Sequence, residues 1–181
     1  MDRAAALHRL AEADRSMGLY VYRKHDLAIP FGETGRRLTA TIASLCKAGI
    51  LERVSRGVYV FPYSKHIGAS TLDDIAKALR PGKLVWESLE SALSQWGVIS
   101  QIPLGRVTYM TTGREGEFCT KYGTIEFTHS DLKPSRIIPN LIMRKGRLPL
   151  AGKRFAYENL KATGRNLHLI DYEELEEDED E

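Results

Sequence analysis

The order of elements predicted over residues 34–61 constrains the fold more than any other feature of the chain. A short amphipathic helix is predicted to begin after Thr34 and to end at Gly49, and a β-hairpin follows at once. Leu38, Ile42 and Leu45 recur at the i, i+4 and i+7 spacing that places side chains on one helix face. Threonine is a common N-cap, and glycine favours the left-handed conformation that often follows a helix. The segment therefore predicts a helix with one buried face and then two short strands.

The face of this helix opposite its apolar side chains is basic and narrow. It comprises Arg36, Ala40, Ala43 and Lys47, and its flanks carry Arg37, Ser44 and Thr39. Two cations and two small alanines would let the helix backbone approach the floor of a DNA major groove. An ordinary solvent-exposed helix face has a similar composition, so the helix alone leaves both interpretations open.

The hairpin after the helix favours the DNA interpretation. Two β-rich runs, residues 50–54 and 58–61, flank the turn Ser55-Arg56-Gly57, where glycine can supply a positive φ. Arg53 and Arg56 are expected to project toward the same side as the basic helix face. In winged helix-turn-helix proteins this hairpin, the wing, contacts phosphates or the minor groove, where arginine is a useful cation. The alternative is a plain surface hairpin with stray arginines.

The residues before this helix are expected to complete the module. Residues 1–16 predict a helix that buries Ala4, Leu7, Leu10 and Ala11, and residues 18–22 predict a strand that pairs with the wing. Residues 23–27 would form the first helix of the helix-turn-helix, because Pro30 disfavours continuation beyond Ala28. Lys24 on that helix is a candidate phosphate contact, with a solvated helix start as the alternative. The winged helix-turn-helix domain is thus predicted over residues 1–66.

Residues 67–172 predict a second, α+β domain with an antiparallel sheet. Helices are expected from Thr71 to Pro81, over residues 88–96 and over residues 153–162. Strands are expected over residues 106–112, 118–122 and 124–128, the last of which alternates like a half-buried strand. A cluster of basic side chains late in this domain predicts a contact surface for nucleic acid or for an acidic protein: Lys133, Arg136, Arg144, Lys145, Arg147, Lys153 and Arg154.

The charge is distributed unevenly along the chain. Eight of the last nine residues, 173–181, are acidic, so residues 1–172 hold 26 basic and 16 acidic residues, a net charge of +10. Such an acidic block repels itself and is expected to be a disordered tail. It would either regulate the basic surface by competing with DNA, meet a basic partner, or act only as a solubilising segment.

The sequence predicts a protein without catalytic activity, metal or cofactor. Its five histidines are scattered, and none pairs with a cysteine or carboxylate at metal-ligand spacing. His129, Ser130 and Asp131 are adjacent, and adjacency directs side chains apart rather than into a triad. The chain lacks a long apolar run and a signal-peptide segment, and its two cysteines form no disulfide framework. These features predict a cytoplasmic protein that does not enter a membrane.

Three stretches resemble the AbiEi-like antitoxins, the transcriptional regulators of type IV toxin–antitoxin operons in abortive infection. Residues 47–60 read KAGILERVSRGVYV and are similar to the helix end and wing of that family. Residues 87–98, ESLESALSQWGV, with QIP at 101–103, resemble the helix that opens its second domain. Residues 107–114, VTYMTTGR, and 122–129, YGTIEFTH, resemble its paired strands. Residues 150–156 match the family's helix start only loosely, and the acidic tail lies outside its pattern.

The resemblance implies a bacterial autorepressor and antitoxin. Its winged helix would bind inverted repeats in its own promoter, and the alternatives of a monomer in solution and a dimer on DNA both stay open. Its C-terminal domain would counteract a nucleotidyltransferase-type toxin. The DNA-binding residues would be Arg36, Arg37, Thr39, Ala40, Ser44 and Lys47 from the helix, Arg53 and Arg56 from the wing, and Lys24. The alternatives are a nucleic-acid-modifying enzyme or a protein-interaction module that uses the winged helix for docking.

Overall fold

A computed structural model describes residues 1–100 and 104–177. The chain divides into two compact units, an N-terminal unit over Met1–Leu79 and a C-terminal unit that begins at Arg80. Helices and strands alternate irregularly in both units, which confirms the predicted α+β class. The predicted domain boundary, after residue 66, lies earlier in the chain than the boundary between the two units, and residues 67–79 belong with the N-terminal unit.

The N-terminal unit contains four helices and three strands. In chain order they are α1 (Arg3–Met17), β1 (Val21–Arg23), α2 (Ala28–Phe31), α3 (Gly35–Lys47), β2 (Glu52–Ser55), β3 (Val58–Val60) and α4 (Thr71–Leu79). The three strands form one sheet in the order β1-β3-β2, and both pairs are antiparallel. The prediction that a strand near residue 20 pairs with the hairpin is therefore confirmed.

Helix α3 has the predicted bounds and the predicted buried face. Leu38, Ile42 and Leu45 are buried, and Thr41 joins them. Thr34 occupies the N-cap position with an extended backbone, although its side chain makes no cap hydrogen bond. Gly49 follows the helix with a φ of 71°, the left-handed conformation expected there.

The predicted face of α1 is largely wrong. The helix buries Ala6, Leu10 and Ala13, whereas Ala4, Leu7 and Ala11 are exposed. The buried face is rotated because it also includes Asp14, whose carboxylate accepts hydrogen bonds from Ser64 and lies 2.8 Å from Nδ1 of His66. A carboxylate with such partners can be buried, and the sequence periodicity of apolar residues does not record it.

The predicted helix over residues 23–27 is also wrong. Arg23 continues strand β1, where it pairs with Val58, and Asp26 accepts hydrogen bonds from the backbone and the guanidinium of Arg23. These bonds close a turn instead of a helix. Helix α2 then contains Pro30, which its first turn tolerates because the backbone N–H groups there have no partner within the helix.

Helix α4 belongs to the N-terminal unit because it packs on the small sheet. The hydroxyl of Tyr20 donates to the carboxylate of Asp74, 2.8 Å away, and lies 3.1 Å from the hydroxyl of Thr71. The helix contacts β1 and β3. The sequence places this helix correctly but assigns it to the following domain.

The C-terminal unit is built around a six-stranded sheet. Its elements are β4 (Val85–Glu87), α5 (Leu89–Gln95), β5 (Arg106–Thr111), β6 (Gly116–Thr120), β7 (Gly123–His129), α6 (Pro134–Ile137), β8 (Leu141–Ile142), β9 (Leu150–Ala151), α7 (Lys153–Thr163) and α8 (Tyr172–Glu176). The strand order is β6-β7-β5-β4-β9-β8. Helices α5 and α7 pack together, with the fully buried Trp86, Leu93 and Leu160 in the core beneath them.

This sheet is mixed, which corrects the predicted antiparallel sheet. Strand β5 runs parallel to β7, and β4 runs parallel to β9. The chain leaves β5, forms β6 at the edge and returns as β7 in the position between them, so the antiparallel hairpin β6–β7 places β7 parallel to β5. Hairpin signals in the sequence identify these strands but do not specify which one lies beside β5.

The acidic segment is partly folded, in contrast to the disorder predicted from residue 173 onward. Helix α8 covers Tyr172–Glu176, and the side chain of Asp171 caps its first turn. Leu175 is only 3% exposed and belongs to the core of the C-terminal unit. The ammonium of Lys153 donates to the carbonyl oxygens of Glu174 and Glu177. The rest of the predicted tail, residues 178–181, lies outside the described residues.

None of the helices formed by the described residues is long and apolar enough to span a bilayer.

Candidate nucleic-acid interface

The outer face of α3 is open to solvent along its whole length. All the side chains predicted to contact DNA from this helix are exposed: Arg36, Arg37, Thr39, Ala40, Ser44 and Lys47. Ala43, between them, is exposed as well. Because Leu38, Ile42 and Leu45 anchor the opposite face, the helical repeat holds this surface outward.

The hairpin presents its two arginines beside a third cation. Arg53 lies in β2 opposite Tyr59, and Arg56 lies in the turn before Gly57, whose φ is 78°. Both arginines are exposed. The backbone N–H of Lys24 donates to the carbonyl of Gly57 over 2.9 Å, which holds Lys24 next to the turn.

A groove of about 370 Å³ lies between α3 and the small sheet. Lys24, Thr39 and Arg53 line it, together with Ile42, Ala43, Cys46 and Tyr59. The structure thus brings together three of the predicted site residues, from the turn after β1, from α3 and from β2. Arg36, Arg37, Ala40, Ser44, Lys47 and Arg56 do not line this groove, although they are exposed on the same helix and hairpin.

Most cations of this surface have no carboxylate partner in the part of the chain that the structure describes. Among residues 1–100 and 104–177, no carboxylate lies within ion-pair distance of Lys24, Arg36, Lys47, Arg53 or Arg56. Among the described residues, Arg53 makes one side-chain hydrogen bond, 3.3 Å long, from Nε to the carbonyl of Ser55. Uncompensated positive charge of this kind attracts a polyanion.

Arg37 differs from the other cations because it binds a buried carboxylate. Its Nε donates to Glu33 over 3.0 Å, although most of its side chain is exposed. Glu33 is only 5% exposed and also binds the hydroxyl of Thr41 and the ammonium of Met1. The hydrogen bond from Thr41, followed by that from the ammonium, lowers the pKa of Glu33 to about 2. The sequence analysis missed this carboxylate, although the i, i+4 spacing of Glu33 and Arg37 indicates a pair.

Cys46 is the one thiol in the groove. Burial raises the pKa of this thiol, and the nearby charge of Arg53 offsets the effect only in part. The cysteine is therefore a neutral, half-buried component of the groove wall.

Among the adjacent residues His129, Ser130 and Asp131 of the C-terminal unit, the histidine and the aspartate bind each other, and the serine makes a separate hydrogen bond. Nε2 of His129 lies 2.9 Å from the carboxylate of Asp131, and Nδ1 lies 2.6 Å from the carbonyl oxygen of Gly113. The Gly113 carbonyl and then Asp131 raise the pKa of His129. Both ring nitrogens of His129 are thus engaged by Gly113 and Asp131, and the hydroxyl of Ser130 accepts from the backbone N–H of Leu132. The described part of the chain contains no group of three or more side chains placed to hold a metal ion.

Comparison with known proteins identifies the fold only. No family model and no curated protein matches the chain. The structure is similar to that of the RV2827C protein from Mycobacterium tuberculosis, with a TM-score of 0.56 and 16% sequence identity. The match covers 86% of this chain and 59% of the mycobacterial chain, so this chain spans less than two thirds of the length of that protein.

Proposed function

We propose that the N-terminal unit is a winged helix-turn-helix that binds double-stranded DNA. In this assignment α2 and α3 are the two helices of the motif, α3 is the recognition helix and the β2–β3 hairpin is the wing. The order helix, strand, helix, helix, strand, strand supports it. The observation that carries the proposal is the groove in which Lys24, Thr39 and Arg53 meet beside the exposed face of α3.

The composition of this surface suits a duplex. Ala40 and Ala43 keep the centre of the α3 face low, so the helix backbone can approach base edges. Arg36 is the exposed arginine of this face best placed for base contacts, because Arg37 is bound to Glu33. Lys24, Lys47, Arg53 and Arg56 would neutralise phosphates on either side.

The biological role we propose is that of an autorepressor and antitoxin in a type IV toxin–antitoxin operon. The support for this part is the resemblance of residues 47–60, 87–98, 107–114 and 122–129 to AbiEi-like antitoxins. The winged helix would repress the operon from inverted repeats in the promoter, and the C-terminal unit would counteract a nucleotidyltransferase-type toxin in the cytoplasm. No catalytic step is assigned to the chain itself.

The DNA contact is tested by removing the two cations that line the groove. Lys24→Ala combined with Arg53→Ala should weaken binding to any duplex, and the salt slope should flatten by about 2, since each neutralised phosphate contributes about 0.9. Lys161→Ala, which removes one exposed cation of α7, is the control for loss of positive charge outside the proposed interface. Equal binding by all three proteins in a gel-shift titration would refute the proposed interface.

The antitoxin role is tested separately by expression with the gene adjacent to this one. If that gene encodes a nucleotidyltransferase that arrests growth, the wild-type protein should restore growth. Restoration should persist in the Lys24→Ala/Arg53→Ala protein, because that variant alters only the DNA-binding unit. A neighbouring gene without toxicity, or toxicity that this protein does not relieve, would refute the antitoxin role and leave the DNA-binding proposal standing.

A further inference from the structure

A surface of the C-terminal unit is both basic and apolar. Residues 132–157 contain seven lysines and arginines and no acidic residue. Four of these cations are bound within the protein. Arg144 and Arg147 lie 2.7 and 3.6 Å from the buried carboxylate of Glu87, Lys153 binds carbonyl oxygens, and Arg154 pairs with Glu176.

The remaining three cations are exposed: Lys133, Arg136 and Lys145. Within residues 1–100 and 104–177, none of them has a carboxylate at ion-pair distance. Three large apolar side chains lie between them in the sequence, and Ile138 is 55%, Ile142 41% and Met143 76% exposed. We call Lys133, Arg136, Ile138, Ile142, Met143 and Lys145 the edge patch.

The backbone of the edge patch is at the end of the sheet. Strand β8, which contains Ile142, is the last strand in the order, and among the described strands it pairs with β9 alone. A depression of about 590 Å³ adjoins it, and Leu141, Ile142, Phe155 and Leu175 form its apolar wall. Lys153, Arg154, Glu176 and Glu177 line its rim, where Arg154 pairs with Glu176. An end strand offers unpaired backbone groups to an added strand, and a neighbouring depression can receive its side chains.

We propose that the edge patch binds an extended, acidic segment of a partner protein that adds as a strand to β8. Leu141 is the residue of β8 whose backbone N–H and C=O face away from β9, because the carbonyl of Asn140 is bonded to Gly152 and these groups alternate sides along a strand. The partner would pair its backbone with Leu141 and place apolar side chains on Ile138 and Met143. Its carboxylates would meet Lys133, Arg136 and Lys145. The proposal is independent of the DNA-binding function, because all of these residues belong to the C-terminal unit.

The composition of the edge patch favours a protein over a nucleic acid. Single-stranded nucleic acids are bound by cations interleaved with aromatic rings on which bases stack. The apolar members of the edge patch are two isoleucines and a methionine, and residues 132–145 contain no aromatic residue. Methionine is typical of adaptable protein-binding surfaces.

The experiment uses the full chain and a labelled peptide of alternating glutamate and valine. Fluorescence anisotropy should detect its binding, and binding should weaken as salt is added. Met143→Asp combined with Lys145→Glu should lower the affinity about tenfold, since each exposed contact is worth up to about a factor of five. Lys161→Glu, which reverses an exposed charge on α7, should leave it unchanged. Hydrogen exchange should show new protection at the amide of Leu141.

Three results would overturn the proposal. The first is absence of binding, or binding that the Met143→Asp/Lys145→Glu variant retains. The second is equal binding of a matched lysine–valine peptide, which would exclude recognition by charge. The third is binding of anionic vesicles or of a single-stranded oligonucleotide, but not of the acidic peptide, through the same residues. Because the variants change exposed side chains, thermal unfolding should confirm that they remain folded.

Discussion

Arg37 donates to the buried carboxylate of Glu33 from one turn further along the chain, with Nε and Oε1 3.0 Å apart. Arg36, its neighbour, is exposed and has no carboxylate partner among the described residues. The two adjacent arginines of the α3 surface therefore have different tasks. Arg37 holds the start of the helix, and Arg36 is available to a ligand.

Substitution of these two arginines should separate stability from sequence recognition. Arg36→Ala should lower discrimination at one or two base pairs by about 1–3 kcal/mol, the worth of a bidentate arginine–guanine contact, and should leave the melting temperature unchanged. Arg37→Ala should lower the melting temperature, because it removes one partner of buried Glu33. Thermal unfolding and titrations against single-base variants of the promoter measure both. Identical behaviour of the two variants would contradict this division.

Arg56 at the tip of the hairpin should contribute affinity without sequence preference. Arg56→Ala should weaken binding to promoter and scrambled duplexes by the same factor, and the salt slope should fall by about 0.9. The measurement is a titration of each duplex at several salt concentrations. A selective loss on the promoter alone would instead place Arg56 against base edges.

Glu33 should make the stability of the N-terminal unit depend on acid. Its pKa in the folded protein is about 2, below the ordinary value of 4.5, so its charged form stabilises the fold above pH 4.5. That contribution should be lost as the pH falls from 4.5 toward 2. Urea unfolding of the wild type and of Glu33→Gln should show the steeper loss in the wild type. Parallel curves over this interval would refute the role of Glu33. Thr41→Val should diminish the effect, because Thr41 is the first cause of the shift.

Leu175 should anchor the acidic segment to the C-terminal unit. Leu175→Ala should lower the free energy of unfolding by about 2–5 kcal/mol, the range for a buried leucine. Leu104→Ala is the matched control, because Leu104 is fully exposed and its replacement should have almost no effect. Chemical unfolding followed by tryptophan fluorescence reports on this unit, since Trp86 and Trp96 both belong to it. Equal stability of the two variants would mean that the segment does not contribute to the core.

Sequence patterns predict the parts of this fold that short-range spacing determines. Helix α3, the hairpin after it and the left-handed Gly49 and Gly57 follow from local periodicity and turn chemistry. Helix α7, predicted over residues 153–162, follows from the same local periodicity, and its Phe155 and Leu160 are buried. Each of these elements needs only an apolar surface on which to bury one face, so its prediction does not require knowledge of a particular distant partner.

The errors arise where a distant polar partner decides the local structure. Asp14 is buried only because Ser64 and His66 reach it from about 50 residues away, and this rotates the buried face of α1. The parallel pairing of β5 with β7 depends on which strand of a hairpin inserts into the sheet. The sequence did not indicate that Leu175 folds into the core, because seven of its eight neighbours in residues 171–179 are acidic and the eighth is Tyr172. The acidic composition of the segment predicts disorder, whereas the burial of the single Leu175 folds it onto the C-terminal unit.

The candidate site was predictable in its residues but not in its arrangement. The exposure of all nine predicted side chains follows from the amphipathic pattern and the turn. Lys24, Thr39 and Arg53 meet in one groove because the backbone N–H of Lys24 is hydrogen-bonded to the carbonyl of Gly57. No rule of sequence spacing predicts this hydrogen bond.

The most direct test of the account is a titration of the wild-type protein against two duplexes at about 150 mM salt, which corresponds to physiological screening. One carries the promoter region upstream of its own gene, and the other carries the same bases in scrambled order. The promoter should be bound at least about a thousandfold more tightly than the scrambled duplex, the lower limit for specific recognition. Equal and weak binding to both duplexes would contradict it.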